Sequence, residues 1–382
     1  PDTVRILYYC QHVLGVGHFH RSLEICRACS DAHQVTMIVG GPDIEVADQP
    51  FDFLTLPGLQ MDAQFSRLEP CDPDLGLEEV KAARIETLLS FFHAARPDCL
   101  ILELYPFGRK AFRFELTPLL EAARQKSCTV LCSLRDILVE KKTDRSMWED
   151  RVVDTLNSCF DGLLVHADPR VVKLEATFGP VDKLTVPILY TGFITPGPRP
   201  DARSTIRTGL GLKDTDKLIV ASIGSGSVGS HLLEAVAAAA ESQAAPADLR
   251  LNLFTGPYCP ADVVAKLRSA SRQNLVIERF ADHFVDWLAA ADLSVSMAGY
   301  NTSMNTLAAG VPALMLPFEQ NREQRLRVEQ LSADHSIRML EEKDLEPERL
   351  AALMAAQLQA GRYRTWLDLD GARQTALLVE KL

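Results

Sequence analysis

LSVSMAGYNTSMNTLAAGVPALMLPFEQNREQ, residues 293–324, is the stretch that decides the fold. The apolar run from Leu293 to Met297 ends at Ala298-Gly299, a helix pattern follows through residue 309, and Gly310-Val311-Pro312 stops it. Ala313 to Leu316 is a second short apolar run. Two such runs joined by a helix are what a parallel sheet covered on both faces demands. Backbone N–H groups at a helix start lack partners inside the helix, and the positive end of the dipole lies there. Gly299, Tyr300, Asn301 and Thr302 therefore make a turn suited to a diphosphate. Residues 317–324, with Glu319, Glu323 and Gln324, fall at the carboxyl end of the second run, the side of an open α/β sheet on which ligands bind.

The same alternation extends in both directions. Strand patterns at 4–9, 34–39, 53–56, 99–103, 129–134 and 162–166 are separated by helix patterns at 19–30, 77–95, 112–126, 145–159 and 169–178. Residues 191–216 are rich in Pro, Gly and polar residues without a sustained period, and are expected to link two domains. Strand patterns resume at 218–222, 251–255, 275–278, 293–297, 313–316 and 336–339, with helices at 347–359 and 363–382. The expected architecture is α/β, with two Rossmann-like domains facing across a cleft: a first domain at 1–190, a second at 217–361 and a terminal helix at 362–382; the resemblance described below implies that the first binds an acceptor and the second a donor.

With 382 residues, 47% of them hydrophobic, the chain can bury two large cores. Its net charge of -11 argues against a nucleic-acid footprint, so anionic ligands must be held by dipoles and a few placed cations. No apolar run reaches the roughly 18 residues of a membrane span, and the opening VRILYY reads as a strand, so a cytoplasmic location is expected. Nine cysteines, most of them in apolar stretches, read as reduced core thiols. Cys26 and Cys29 form a CxxC within a helix pattern near His18 and His20, but no second ligand pair at metal spacing accompanies them.

GYNT, LAAGVPALMLP and NREQ together resemble the donor-binding half of the GT-B glycosyltransferases, in the branch of the lipid-linked GlcNAc transferases of peptidoglycan synthesis. The resemblance continues in Gly15-Val16-Gly17-His18, in Pro106-Phe107-Gly108-Arg109, in Ser133-Leu134-Arg135-Asp136 and in the glycine loop near Gly224. It implies an inverting, metal-independent transfer of a hexose from a nucleotide diphosphate sugar, UDP-linked by first choice, to a hydroxyl acceptor. No cofactor is implied beyond that donor. In this family the last helix crosses back to the first domain.

Glu323-Gln324 matches the acid-or-amide pair with which this branch holds the donor sugar's hydroxyls: a carboxylate accepts from two hydroxyls, and an amide both donates and accepts. Glu319 lies in the same turn. Asn305 departs from the branch, which places a glutamate there for the ribose hydroxyls, so thymidine and guanosine carriers are less excluded than usual. Phe280 sits where the family reads the base through backbone groups, with a ring that could equally belong to the core.

Ser222 ends the strand before Gly224-Ser225-Gly226-Ser227-Val228-Gly229, which as a bare pattern matches the dinucleotide fingerprint. A nicotinamide enzyme needs an acidic residue at the end of the next strand, where this chain has Thr255-Gly256. The loop reads instead as a small-residue turn whose amides approach a phosphate or sugar, or as packing alone.

Near the N-terminus, Gly17 and His18 start a helix after the first strand. A histidine has a pKa suited to removing a proton from an acceptor hydroxyl, although a helix N-terminus lowers it, and His18 reads equally as a helix cap or a phosphate contact. Glu103, closing the strand CLILE, is a rival base, or a plain N-cap or loop partner of the kind strand-end carboxylates often are. Arg109, Arg135 and Asp136 are acceptor-site candidates by position. The apolar triplet Ile137-Leu138-Val139 beside Lys141 and Lys142 could touch a membrane surface carrying a lipid-linked acceptor, but a solvated charged loop beside core residues is the reading favoured here. No acidic triplet stands at a strand end to chelate a metal diphosphate; Asp72-Pro73-Asp74 and Asp368-Leu369-Asp370 lie in a loop and before the last helix. A nucleotide-sugar 2-epimerase and a non-catalytic nucleotide-sugar-binding protein are the alternative readings.

Overall fold

A computed structural model describes residues 3–12, 17–44, 46–61, 67–138, 144–245, 248–269, 274–319, 322–333 and 335–381. The chain forms two compact units, Pro1–Ile194 with Asp368–Leu382, and Thr195–Leu367.

In the first unit the strands are β1 (Arg5–Tyr9), β2 (Gln34–Val39), β3 (Asp52–Thr55), β4 (Leu59–Met61), β5 (Leu68–Pro70), β6 (Cys99–Glu103), β7 (Thr129–Arg135), β8 (Gly162–His166) and β9 (Ile188–Tyr190). Its helices are α1 (Gly17–Ser30), α2 (Leu77–Ala95), α3 (Arg113–Gln125) and α4 (Arg145–Cys159). Among the described residues the sheet order is β3-β2-β1-β6-β7-β8-β9, all parallel, with β4 and β5 forming a separate hairpin. The inner strands are buried on both faces; Cys99, Leu100, Ile101 and Leu102 are all fully buried, which is why their sequence shows no polar alternation. The C-terminal helix Gly371–Val379 packs on α1, placing Ala376 and Val379 against the core of Phe19, Leu23, Cys26 and Cys29. Burial pushes the Cys26 and Cys29 thiols upward, the Cys29 thiol to about 12, so both are inert core groups.

In the second unit α5 (Ala202–Gly209) precedes β10 (Lys217–Ser222), α6 (Ser230–Ala239), β11 (Leu249–Phe254), α7 (Ala261–Ser269), β12 (Leu275–Glu278) and α8 (Phe284–Ala290). Then follow β13 (Leu293–Met297), α9 (Tyr300–Ala309), β14 (Ala313–Leu316), α10 (Arg322–Ser332), β15 (Ile337–Met339) and α11 (Pro347–Gln357). The parallel order β12-β11-β10-β13-β14-β15 reverses direction between β10 and β13, so the switch point lies beside the stretch that opened the reading.

Three local expectations differ from the structure. Residues 169–178 form no α-helix: Lys173 is extended (φ -105, ψ 155), and the Leu174 amide donates to the Tyr190 hydroxyl at 2.9 Å instead of to a helical carbonyl. The stretch 191–216 is not an open linker throughout, because it contains α5, whose Arg203 and Arg207 bind Asp292 and the carbonyls ending α8. The last helix begins only at Gly371, and the Tyr363 amide, at the expected start, donates instead to the Gly310 carbonyl at 3.0 Å.

Candidate active site

In the second unit, β13 delivers the chain to Gly299 at its carboxyl end, and α9 starts at the next residue. Gly299 is extended (φ -65, ψ 154) and, as a glycine, offers the helix no side-chain cap of its own. A Cβ built on Gly299 would have no atom within 4 Å, so the approach to the first turn of α9 is open. At the far end Gly310 (φ 62) closes the helix in a conformation glycine favours, and a Cβ there would meet the Tyr363 carbonyl oxygen at 2.1 Å. Beneath the turn lies Arg327 of α10, 2% exposed. Its Nη1 donates to the Ala298 carbonyl at 3.1 Å, and its guanidinium stands 5.6 Å from the Tyr300 ring centre. The sequence reading missed this residue; its signal was the four-residue spacing from Glu323 on one helix face. A buried cation and a helix dipole thus converge on Gly299, Tyr300, Asn301 and Thr302.

Gln324, in the first turn of α10, accepts the Phe318 amide on Oε1 at 2.9 Å, so its side-chain NH2 is what it presents elsewhere. Glu323 is buried and Glu319 exposed. Asn305 Oδ1 accepts the Thr195 hydroxyl at 2.7 Å, which orients this amide too as a donor. The glycine loop divides by role. A Cβ at Gly226 (φ 91) would meet the Thr255 carbonyl at 2.4 Å and the Cys259 amide nitrogen at 2.7 Å, so this glycine is spent on packing. Gly224 (φ 67) faces open space instead, beside Ser225, whose carbonyl accepts the Tyr258 amide. Ser222 is 4% exposed and is the register partner of Ser296; both hydroxyls are buried without a partner among the described residues. Phe280 is 48% exposed, so its ring is not part of the core.

In the first unit, Glu103 ends β6 fully buried. Its Oε1 accepts from His18 Nδ1 at 2.6 Å and from Arg21 Nη2 at 2.8 Å, while Oε2 accepts from Arg109 Nη2 at 2.7 Å. The chain after Glu103 turns back through Leu104 (φ 65), with the Gly108 amide on the Leu104 carbonyl at 2.8 Å, and Arg109 itself takes a positive φ of 59. That turn brings a residue six positions on to its carboxylate. Burial drives the His18 imidazole down to about 4; Glu103 opposes this and Arg109 and Arg21 reinforce it. Burial alone would raise the Glu103 carboxyl, but His18, Arg109 and Arg21 hold it well below the usual carboxylate range. Below this group a closed chain of polar contacts runs from Tyr8 Oη to Ser133 Oγ (2.9 Å), to His166 Nε2 (2.7 Å), and from His166 Nδ1 to Thr191 Oγ1 (2.8 Å).

Two expectations change accordingly. Glu103 is unsuited to be a rival base, since it is fully buried, ionised and engaged on both oxygens. Arg109 binds Glu103 rather than standing ready for an acceptor. Arg135 is half-buried and Asp136 is 1% exposed at the end of β7. Ile137 and Leu138 are buried at 1% and 5%, in keeping with the favoured reading of core residues rather than with a membrane-facing surface; Val139, Lys141 and Lys142, like Gly15 and Val16, lie outside the described residues. Gly17 begins α1, and its neighbour His18 keeps 23% of its side chain exposed.

Residues 220–363 match the model of the glycosyltransferase family 28 C-terminal domain. A UDP-N-acetylglucosamine-N-acetylmuramyl-(pentapeptide) pyrophosphoryl-undecaprenol N-acetylglucosamine transferase of Vibrio cholerae is 30% identical over 132 residues, 32% of this chain and 37% of that protein. The Bacillus licheniformis enzyme of the same name is 24% identical over 208 residues, 52% of this chain and 51% of that protein. The chain thus spans from about a third to half of the length of these curated relatives. Among solved structures, Acinetobacter baumannii MurG superimposes with a TM-score of 0.56 at 15% identity, covering 99% of this chain and 100% of that one. The glycosyltransferase of kitacinnamycin does so at 0.60 and 16%, covering 100% and 99%. Phytolacca americana UGT2, complexed with UDP-2-fluoro-glucose and pterostilbene, gives 0.60 and 12%, covering all of both chains. The fold is that of the GT-B glycosyltransferases, and residues 220–363, within the second unit, are similar to the glycosyltransferase family 28 C-terminal domain.

Proposed function

We propose that this chain is a glycosyltransferase that moves a hexose from a nucleotide diphosphate sugar, UDP-linked by first choice, to a hydroxyl acceptor. The observation that carries the reading is the start of α9. It lies at the carboxyl end of a central strand behind Gly299, which has no side chain and no atom of the described residues within 4 Å of where a Cβ would stand, with Arg327 buried beneath it. That arrangement suits a diphosphate without a metal, because the helix dipole and the arginine supply the positive charge. Gln324 and Asn305 offer amide donors to the sugar and the nucleoside.

In the first unit, His18 is the base. The ionised Glu103 can only accept, so the Nδ1 proton belongs to this contact and the Nε2 lone pair is left to take the acceptor's hydroxyl proton. As that oxygen bonds to the anomeric carbon, the bond from carbon to the diphosphate oxygen breaks and its electron pair leaves with the diphosphate. One displacement of this kind inverts the anomeric centre. The relatives named for transfer to pyrophosphoryl-undecaprenol carriers make a lipid-linked acceptor a natural member of the test set. The test is single-turnover transfer from radiolabelled nucleotide sugars to a hydroxyl-acceptor panel. His18→Ala is expected to lose about 10²–10⁴-fold in rate. Donor binding without turnover, or label exchange at the sugar's C2 without acceptor, overturns the reading.

A further inference from the structure

We infer that Arg21 and Arg109 are positioning residues for the base: two guanidinium groups hold the buried Glu103 carboxylate from both oxygens, so that it fixes His18 with its proton on Nδ1 and its lone pair on Nε2. The inference rests on the reading of His18 as the base. It starts from a charge count. One guanidinium would balance a buried carboxylate, yet Glu103 has two, on side chains only 2% and 9% exposed. Arg21 reaches it from α1, one helical turn beyond His18, and Arg109 from the turn after β6. Among the described residues, the remaining titratable groups that sense the carboxylate do not cancel the surplus. The Tyr8 phenol of β1 is raised well above its usual range, the Cys10 thiol just after β1 is pushed up to about 12, and the Cys132 thiol of β7 is raised well above its usual range. From β8, burial and Arg21 bring the His166 imidazole down to about 3, so it stays neutral.

The surplus positive charge therefore acts on His18. A histidine paired with a lone carboxylate is pulled toward its protonated form, which has no lone pair to accept a proton. Arg21 and Arg109 oppose that pull, as their effect on the imidazole shows. The carboxylate they hold sets the tautomer, because Glu103 Oε1, 2.6 Å from His18 Nδ1, can only accept. Arg21 Nη2 lies 3.1 Å from His18 Nδ1, but a donor cannot donate to a protonated nitrogen, so Arg21 spends its N–H on Glu103 Oε1 at 2.8 Å. The clamp keeps the base available in mildly acidic medium, where an ordinary His–carboxylate pair would be protonated.

The experiment is ¹⁵N NMR of histidine side chains in the full chain, which needs neither donor nor acceptor. His18 is expected to show the Nδ1–H tautomer at pH 7 and a titration midpoint near 4. Arg21→Met and Arg109→Met should each raise the midpoint by ~1 unit or more, whereas Arg21→Lys and Arg109→Lys, which keep the charge, should hold it near the wild-type value. An Nε2–H tautomer, a wild-type midpoint near 6.5, an unmoved midpoint in the Met variants, or an equal shift in the Lys variants each overturns the clamp. If the Met variants fail to fold, the wild-type tautomer, the wild-type midpoint and the Lys variants still decide. The base reading fails separately, through full transfer by His18→Ala, whatever the NMR shows.

Discussion

The Phe318 amide donates to Gln324 Oε1 at 2.9 Å, so the Gln324 carboxamide is held with its NH2 group directed elsewhere. Gln324→Glu keeps the acceptor for Phe318 but replaces the donor pair with a charge. Donor-sugar affinity is expected to fall about 3–10-fold, one lost hydrogen bond, with stability close to wild type. Calorimetric titration with a nucleotide sugar checks this, and unchanged affinity would remove Gln324 from the sugar site.

Gly299 permits a cleaner separation of binding from folding. Its φ of -65 and ψ of 154 suit any residue, and open space lies where a side chain would go. Gly299→Leu should therefore melt within a few degrees of wild type while nucleotide diphosphate affinity falls at least ~10-fold through blocked approach. Gly226→Ala should do the opposite and cost stability, because its Cβ would collide with the Thr255 carbonyl and the Cys259 amide nitrogen. Parallel melting and titration curves distinguish the two.

The first unit carries a fully buried pair, Arg84 and Glu115. Arg84 Nε and Nη2 bind the two carboxylate oxygens at 2.7 and 2.6 Å, Nη1 binds the Gly40 and Pro57 carbonyls, and Tyr9 Oη donates to Glu115 Oε1 at 2.5 Å. Arg84→Met leaves Glu115 uncompensated and should cost about 3–5 kcal/mol in urea unfolding. Adding Glu115→Leu should recover much of that loss; a double variant less stable than the single contradicts the account.

Stability should fall as the medium becomes acidic. His166 and His18 have folded-state values near 3 and 4, below the ~6.5 of an unfolded histidine. Below pH ~6.5 the unfolded chain takes up protons that the folded unit refuses, so stability present above that pH is lost as pH falls, by up to ~1.4 kcal/mol per unit for each ring. The depressed Glu103 carboxyl adds a loss in the same direction at lower pH. Urea midpoints measured from pH 7 to 4.5 should decline, and His166→Gln should flatten the decline. A level wild-type profile would contradict this.

Much of the fold was legible because the inner strands, such as Cys99–Glu103 and Leu293–Met297, are buried on both faces and so appear as unbroken apolar runs between helix patterns. The three-residue strand Ile188–Tyr190 was not, since at an edge it is only half-buried and too short for a period to emerge. The helix expected over residues 169–178 failed for a tertiary reason, the capture of the Leu174 amide by Tyr190. His18 and Glu103 were legible as candidates, but not their division of labour, which depends on Arg109 folding back through a positive-φ turn that no local pattern announces. Arg21 had a readable signal: three residues beyond His18 on one helix, it shares a face with it. Arg327 shared a helix face with Glu323 four residues earlier, but its place against the Ala298 carbonyl became visible only in the folded chain.

The central claim is that the start of α9 holds a nucleotide diphosphate sugar, and amide NMR of the full chain titrated with a UDP-hexose in EDTA tests it most directly. The account predicts saturable shifts centred on the Gly299–Thr302 amides and the Gln324 side chain, lost in Gly299→Leu. No saturable shift with any nucleotide sugar, shifts that need a divalent metal, or shifts confined to the Gly224 loop on adding a nicotinamide dinucleotide would contradict it.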